Sequence, residues 1–147
     1  MLNEGQRSFV GAVKAVVNEA VTFAEGFSEA MDAEPDAGSQ ADGELNKHIE
    51  VGPKGPWGRK PVEDAYNVAS MLYGAAGQYL RAFGQLLNDN MVLFGFQAIT
   101  RALLEAAARS WWVLDPACTV RERVERAYVE RYYSFGEMKK FAKAIGG

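Results

Sequence analysis

At 147 residues the chain has the length of one domain, 1–147, and its 48% apolar, 24% charged and 12% aromatic residues are an ordinary globular balance. No apolar run is long enough for a membrane-spanning helix, MLNEGQRSFV has neither a basic leader nor a long apolar stretch, and the single cysteine, Cys118, excludes an internal disulfide. These features point to the cytoplasm and to no membrane partner, and a net charge of −3 argues against nucleic acid as a partner.

The charge is uneven, with ten acids and three bases in residues 1–50 against nine bases and six acids in 101–147. Acidic and basic parts of one molecule lying together would explain this. A basic surface for an anionic partner is the alternative.

Five helical segments are visible, and no strand. The first runs from about Asn3 to Met31. Phe9, Val13, Val16, Ala20, Phe23, Phe27 and Met31 recur at three- and four-residue steps, which predicts the inward face; Val10, Val17 and Val21 widen it. Asn3 is placed to cap this helix with Gln6 as its reciprocal partner. Residues 32–60 then break the pattern and read as a long loop, partly flexible. DAEPDAGSQADGE has the composition of an acidic linker. HIEVGPKGPWGRKP carries Ile49, Val51 and Trp57, so it reads as an arm able to dock on helices. It lacks the GK[ST] ending of a phosphate-binding loop. His48 is the only histidine, and no ligand spacing for a metal is present.

The second helix starts at Pro61, with Glu63 and Asp64 at its positive end. Val62, Ala65, Tyr66, Ala69, Leu72, Tyr73, Ala76, Tyr79, Leu80, Phe83 and Leu87 make a continuous apolar face, and Gly74-Ala75-Ala76-Gly77 allows another helix to come close. The short turn Asn88-Asp89-Asn90 predicts that the next helix is antiparallel to this one.

That third helix, residues 91–116, is apolar around most of its girth and stops at Pro116, so it is expected to be the most buried. Gln97, Arg101, Glu105 and Arg109, four apart, form a polar stripe on it. The stripe suits a structural network bridged by Glu105, a dimer or partner surface, or a site for a small anion with Arg101 as its contact. Of the adjacent Trp111 and Trp112, one is expected in the core and the other against a neighbouring helix or the Trp57 arm, unless they anchor a subunit interface.

Thr119 to Glu122 is a capping box that opens the fourth helix. Its expected core residues are Val120, Val124, Ala127, Tyr128, Tyr132 and Phe135; Arg121, Glu122, Glu125, Arg126 and Glu130 read as solvated ion pairs. Tyr128, Tyr132 and Tyr133 with Arg131 form an aromatic, basic end, suited to packing or to stacking on bases. A second box, Ser134 to Glu137, predicts a short fifth helix ending near Ile145 and capped by Gly146.

The run from Arg101 through Leu103, Leu104, Glu105 and Ala107 to Trp112 and Leu114 resembles a helix of uncharacterised actinobacterial all-helical proteins, and residues 60–135 are similar to the HEPN-like superfamily. The resemblance implies an antiparallel helical fold that tends to dimerise. The superfamily's ribonucleases carry an Arg followed after four to six residues by His; neither Arg101 nor Arg109 has one, so the resemblance implies no ribonuclease chemistry.

The fold expected is all-α: an antiparallel four-helix bundle with a short fifth C-terminal helix and a long loop between helices one and two. The function expected is a non-catalytic interaction module that forms a homo-oligomer, a dimer, or binds a protein partner. No catalytic residue, cofactor or metal is nominated. The alternatives are an enzyme or small-anion-binding protein that uses an Arg101/Glu105 polar site inside the bundle, closed by the Trp57 arm, and a degenerate HEPN-like, RNA-associated protein.

Overall fold

The computed structural model describes residues 3–32, 34–45, 60–88 and 94–144. They form five helices: α1 (Glu4–Asp32), α2 (Gln40–Leu45), α3 (Pro61–Asn88), α4 (Phe94–Leu114) and α5 (Val120–Ala144). The fold is all-α, with four long helices and one short one. The short helix is α2, inside the segment read as a linker, and not a separate helix at the C-terminal end. The arm with His48 and Trp57, the centre of the turn after Asn88, and Gly146 lie outside the described residues. Two compact units are present, Met1–Glu34 with Leu72–Ala108 and Pro35–Met71 with Arg109–Gly147, so α3 and α4 each contribute one segment to each unit.

In the first unit, the reciprocal cap forms at the start of α1: Gln6 N donates to Asn3 Oδ1 (2.8 Å) and Asn3 N to Gln6 Oε1 (2.9 Å). Helices α1 and α3 are antiparallel, since Val17 meets Gly84, Ala24 meets Gly77 and Phe27 meets Tyr73. The face that α1 presents to α3 is the one expected only as a margin. Val17 is buried and Val10, Val21 and Ala24 are half-buried, whereas Phe9, Val16 and Phe23 are 65–72% exposed. The glycines of α3 explain the choice. A methyl at Gly84 would sit 3.2 Å from Val17 Cγ1, and one at Gly77 3.8 Å from Ala24 Cβ, so the smaller side chains of α1 nestle where α3 has no Cβ. The Phe27 ring packs on α3, 4.4 Å from Tyr73 between centroids. Phe96 of α4 packs edge-on against Phe83 of α3 at 4.7 Å.

In the second unit, α3 buries Val62, Ala65, Val68 and Ala69, α4 buries Ser110 and Val113, and α5 buries Val124 and Ala127. Ser110 Oγ donates to the Ala69 carbonyl at 3.0 Å, which satisfies its hydroxyl within the core. Helices α4 and α5 are antiparallel, with Arg109 on Glu130 and Trp112 on Arg126. The expected box opens α5: Thr119 N donates to Glu122 Oε2 (2.7 Å) and Glu122 N to Thr119 Oγ1 (3.3 Å). Ser39 opens α2 in the same way. Asp42 N donates to Ser39 Oγ (3.2 Å) and Gly38 N to Asp42 Oδ2 (2.9 Å), with Gly38 at φ 80°, a conformation favouring glycine.

Helix α5 runs through Ser134-Phe135-Gly136-Glu137 unbroken. A cap satisfies N–H groups that lack a carbonyl one turn back, and inside a continuous helix those carbonyls are already present. Tyr132 and Phe135, expected in the core, are 84% and 63% exposed. A methyl at Gly136 would meet no atom within 4 Å. Gly136→Ala should therefore stabilise the protein by about 1 kcal/mol through helix propensity alone. A urea titration showing destabilisation would mean that the chain breaks there.

Candidate functional site

Helix α4 carries the polar stripe, but it is not sheathed by its neighbours. Its buried residues are Ala106, Ser110 and Val113, against five on α3. Part of the apolar girth seen in the sequence is alanine, which marks helix propensity more than burial; Ala98, Ala107 and Ala108 face water, and so do the larger Leu104 and Trp111. A four-residue step overshoots one helical turn by about 40°, so the stripe winds around the helix. Gln97, Arg101 and Glu105 are exposed, and Arg109 has wound to the edge of the buried arc. There its Nε donates to Glu130 Oε2 at 2.7 Å, its Nη2 meets the same oxygen, and its guanidinium stands 5.5 Å from the Tyr133 ring centroid. Glu130 is thus a buried partner and not a solvated one.

The exposed part of the stripe borders a shallow hollow whose lining is Phe96, Gln97, Thr100, Arg101, Leu104 and Glu105, all from α4. Because Glu105 is exposed, Glu105→Ala should change the unfolding free energy by no more than about 0.5 kcal/mol. A thermal melt that dropped as for a buried ion pair would contradict this placement.

Neither tryptophan is a core residue. Trp111 is 68% exposed and Trp112 39%. The buried arc of this turn belongs to Ser110 and Val113, and at about 100° per residue both rings fall outside it. Arg126 covers Trp112: its guanidinium lies 5.4 Å from the ring centroid and donates to the Trp112 carbonyl at 2.6 Å.

A second polar constellation was not nominated by the sequence. Arg123 of α5 and Glu44 of α2, 2% and 5% exposed at their side chains, pair at 3.0 Å inside the second unit. Glu44 also accepts from Gln40 Nε2 at 2.7 Å and from Tyr66 Oη at 3.1 Å. Arg123 donates through Nη1 to the Val113 carbonyl (2.9 Å) and through Nη2 to that of Asp115 (3.5 Å), and it stands 5.4 Å from the Tyr66 ring centroid. The pair joins an acid from the acidic first third to a base from the basic last third. With Arg126, it also answers carbonyls at the C-terminal end of α4 that have no partner within the helix.

Burial alone pushes the Glu44 carboxyl up, but the hydrogen bonds from Gln40 and Arg123, the Arg123 charge and the Tyr66 hydroxyl outweigh it and hold the group below its ordinary value. Burial pushes Tyr66 up to about 12, so it stays a neutral donor. No buried side-chain nitrogen or oxygen among the described residues lacks a partner. A general base needs an oxygen it can turn to a substrate, and both oxygens of Glu44 already accept bonds within the fold. This cluster therefore holds α2, α4 and α5 together and is not an acid–base centre.

Among the described residues no group of three or more His, Cys, Asp or Glu is arranged to hold a metal ion, and no described helix is long and apolar enough to cross a membrane. Tyr128 is half-buried on α5. Trp57, the other aromatic nominated for an interface, lies outside the described residues. Comparison with protein-family models, curated proteins and solved structures finds no match to this chain.

Proposed function

We propose that the chain is a non-catalytic helical interaction module that self-associates or binds a protein partner. The observation that carries this reading is the apolar surface left on its long helices. Phe9, Phe23, Trp111, Tyr132 and Phe135 are each 63–84% exposed. A single exposed apolar side chain is ordinary. Repeated aromatic side chains on helix faces are what protein–protein interfaces enrich. The saturation of the Glu44–Arg123 cluster supports the same reading, because its polar groups are spent on holding the fold. Sedimentation across micromolar concentrations should show an oligomer, or affinity capture a stable partner. A strict monomer that captures nothing would overturn the proposal.

The hollow on α4 favours a second reading, a small-anion site contacted by Arg101 and Gln97. Inorganic phosphate at about 100 times its dissociation constant would then add about 2.7 kcal/mol to the unfolding free energy. A flat thermal-shift response up to high phosphate would set this reading aside.

A further inference from the structure

We infer that the outer seam of α1 is where a second copy of this chain docks, the two α1 helices running antiparallel about a two-fold axis at Val16. The inference rests on the self-association reading above and gives it a surface. Helix α1 carries two parallel seams, each built from alternating four- and three-residue steps. One is Val10, Lys14, Val17, Val21 and Ala24; the other is Phe9, Val13, Val16, Ala20, Phe23 and Phe27. That spacing is the repeat of a helix packed along another helix. The first seam is occupied by α3, through Val17 on Gly84 and Ala24 beside Gly77. The second leaves Phe9, Val16 and Phe23 at 70%, 65% and 72% exposure.

The order of side chains along this seam fits a copy of itself. Phe9 and Phe23 lie seven residues to either side of Val16. An antiparallel pairing through Val16 sets Phe9 opposite the copy's Phe23, Ala12 opposite its Ala20, and Gly5 opposite its Phe27. Ring then meets ring at Phe9 and Phe23, small meets small at Ala12 and Ala20, Phe27 finds the space at Gly5, and Val13 lies beside Glu19 at the edge. A parallel pairing would set Phe27 on Phe27 and Gly5 on Gly5, with crowding at one end and a void at the other. Charge does not oppose the contact. At about 100° per residue Arg7, Lys14 and Glu25 project from the opposite side of α1, and only Glu19 borders the seam.

The area is sufficient. The exposed parts of Phe9, Val16, Phe23 and Phe27 amount to about 450 Å² per copy, taking each aromatic ring at roughly 200 Å². The pair therefore removes at most about 900 Å² before Gly5, Ala12, Val13 and Ala20 are counted, which brings it to the roughly 1,000 Å² lower limit of a specific interface.

The test uses the full chain. Sedimentation equilibrium from about 1 to 200 µM should give a dimer that Val16→Asp weakens by about thirtyfold or more, with the melting temperature of the dilute monomer unchanged and Trp111→Asp without effect. Under oxidation Val16→Cys should form a covalent dimer, whereas Asn18→Cys, on the far side of the helix, should not. A dimer broken by Trp111→Asp and indifferent to Val16→Asp would overturn the α1 surface while leaving self-association intact. A monomer at every concentration that still captures a protein partner would overturn the α1 dimer alone; a monomer that captures none would overturn both. A lower melting temperature for dilute Val16→Asp would show that the chain covers this seam itself, which also overturns the inference.

Discussion

Arg123→Ala should lower the unfolding free energy by about 3–5 kcal/mol, because it leaves the Glu44 carboxylate buried without its countercharge. It also leaves the Val113 carbonyl with only the weak Cys118 thiol donor at 4.0 Å, and a poorly satisfied buried acceptor costs up to about 1–3 kcal/mol by itself. Glu44→Ala should cost less. Glu44 sits on a helix of six residues, so α2 is expected to open and let water reach Arg123 at less cost than disrupting the α3–α4–α5 packing. The two variants are therefore distinguishable by more than size. In Glu44→Ala, amide hydrogen exchange should rise first at residues 40–45, while Arg123→Ala should lower protection across the second unit. The double replacement Glu44→Leu with Arg123→Met removes both charges and should recover part of the loss, with the Val113 carbonyl setting the remainder. Urea titrations of Glu44→Leu, Arg123→Met and the double variant close the cycle. Equal losses that simply add would show that the pair is not coupled.

The starts of α1, α3 and α5 and the end of α4 were legible because each is set by local chemistry: Asn3 with Gln6, Pro61, Thr119 with Glu122, and Pro116; the end of α5 was not, because Ser134 to Glu137 has the spacing of a cap inside a continuous helix. The faces were less legible because periodicity names candidate seams without saying which neighbour fills them. On α1 two seams share the same spacing, and the glycines of α3, distant in sequence, select the smaller one. Arg123 carries a signal of its own in the sequence. It lies with Val120, Val124 and Ala127 at core spacing, so its register is that of a buried residue, and Glu130 follows at the same spacing. A charge in a core register asks for a buried partner. Nothing local could name Glu44, which is 79 residues away. Helix α2 was also legible in part, since Ser39 and Asp42 have the spacing of a capping box; the acidic composition around them obscured it. The stripe on α4 was legible as a pattern but not as a surface, because a four-residue repeat drifts around a helix and only its last member reaches α5.

Acidification should destabilise the protein through Glu44 before it affects the apolar core. The carboxyl is held below its ordinary value of 4.5 in the folded chain. Its ionised form therefore contributes fully above the unfolded value, and that contribution is lost as the pH falls through the folded one. Stability should be level down to about pH 5 and then decline, because the unfolded chain takes up a proton that the folded chain refuses. Asp115, lowered first by the Ala117 amide and then by Arg126, and Glu122, lowered by the Thr119 amide and hydroxyl, act in the same direction. Both are screened by water and contribute little. At the alkaline end the sign reverses. Tyr66, pushed from 10.0 up to about 12 by burial, favours folding fully below its unfolded value, and that contribution disappears as the pH rises through the folded one. Urea midpoints at pH 7 and pH 3 should differ more for the natural chain than for Glu44→Gln, whose amide keeps the shape and one of the two acceptor oxygens but has no proton to bind. Tyr66→Phe should flatten the decline above pH 10. An acid response identical in the natural chain and Glu44→Gln would place the titrating groups elsewhere and remove the electrostatic role assigned to the α2 contact.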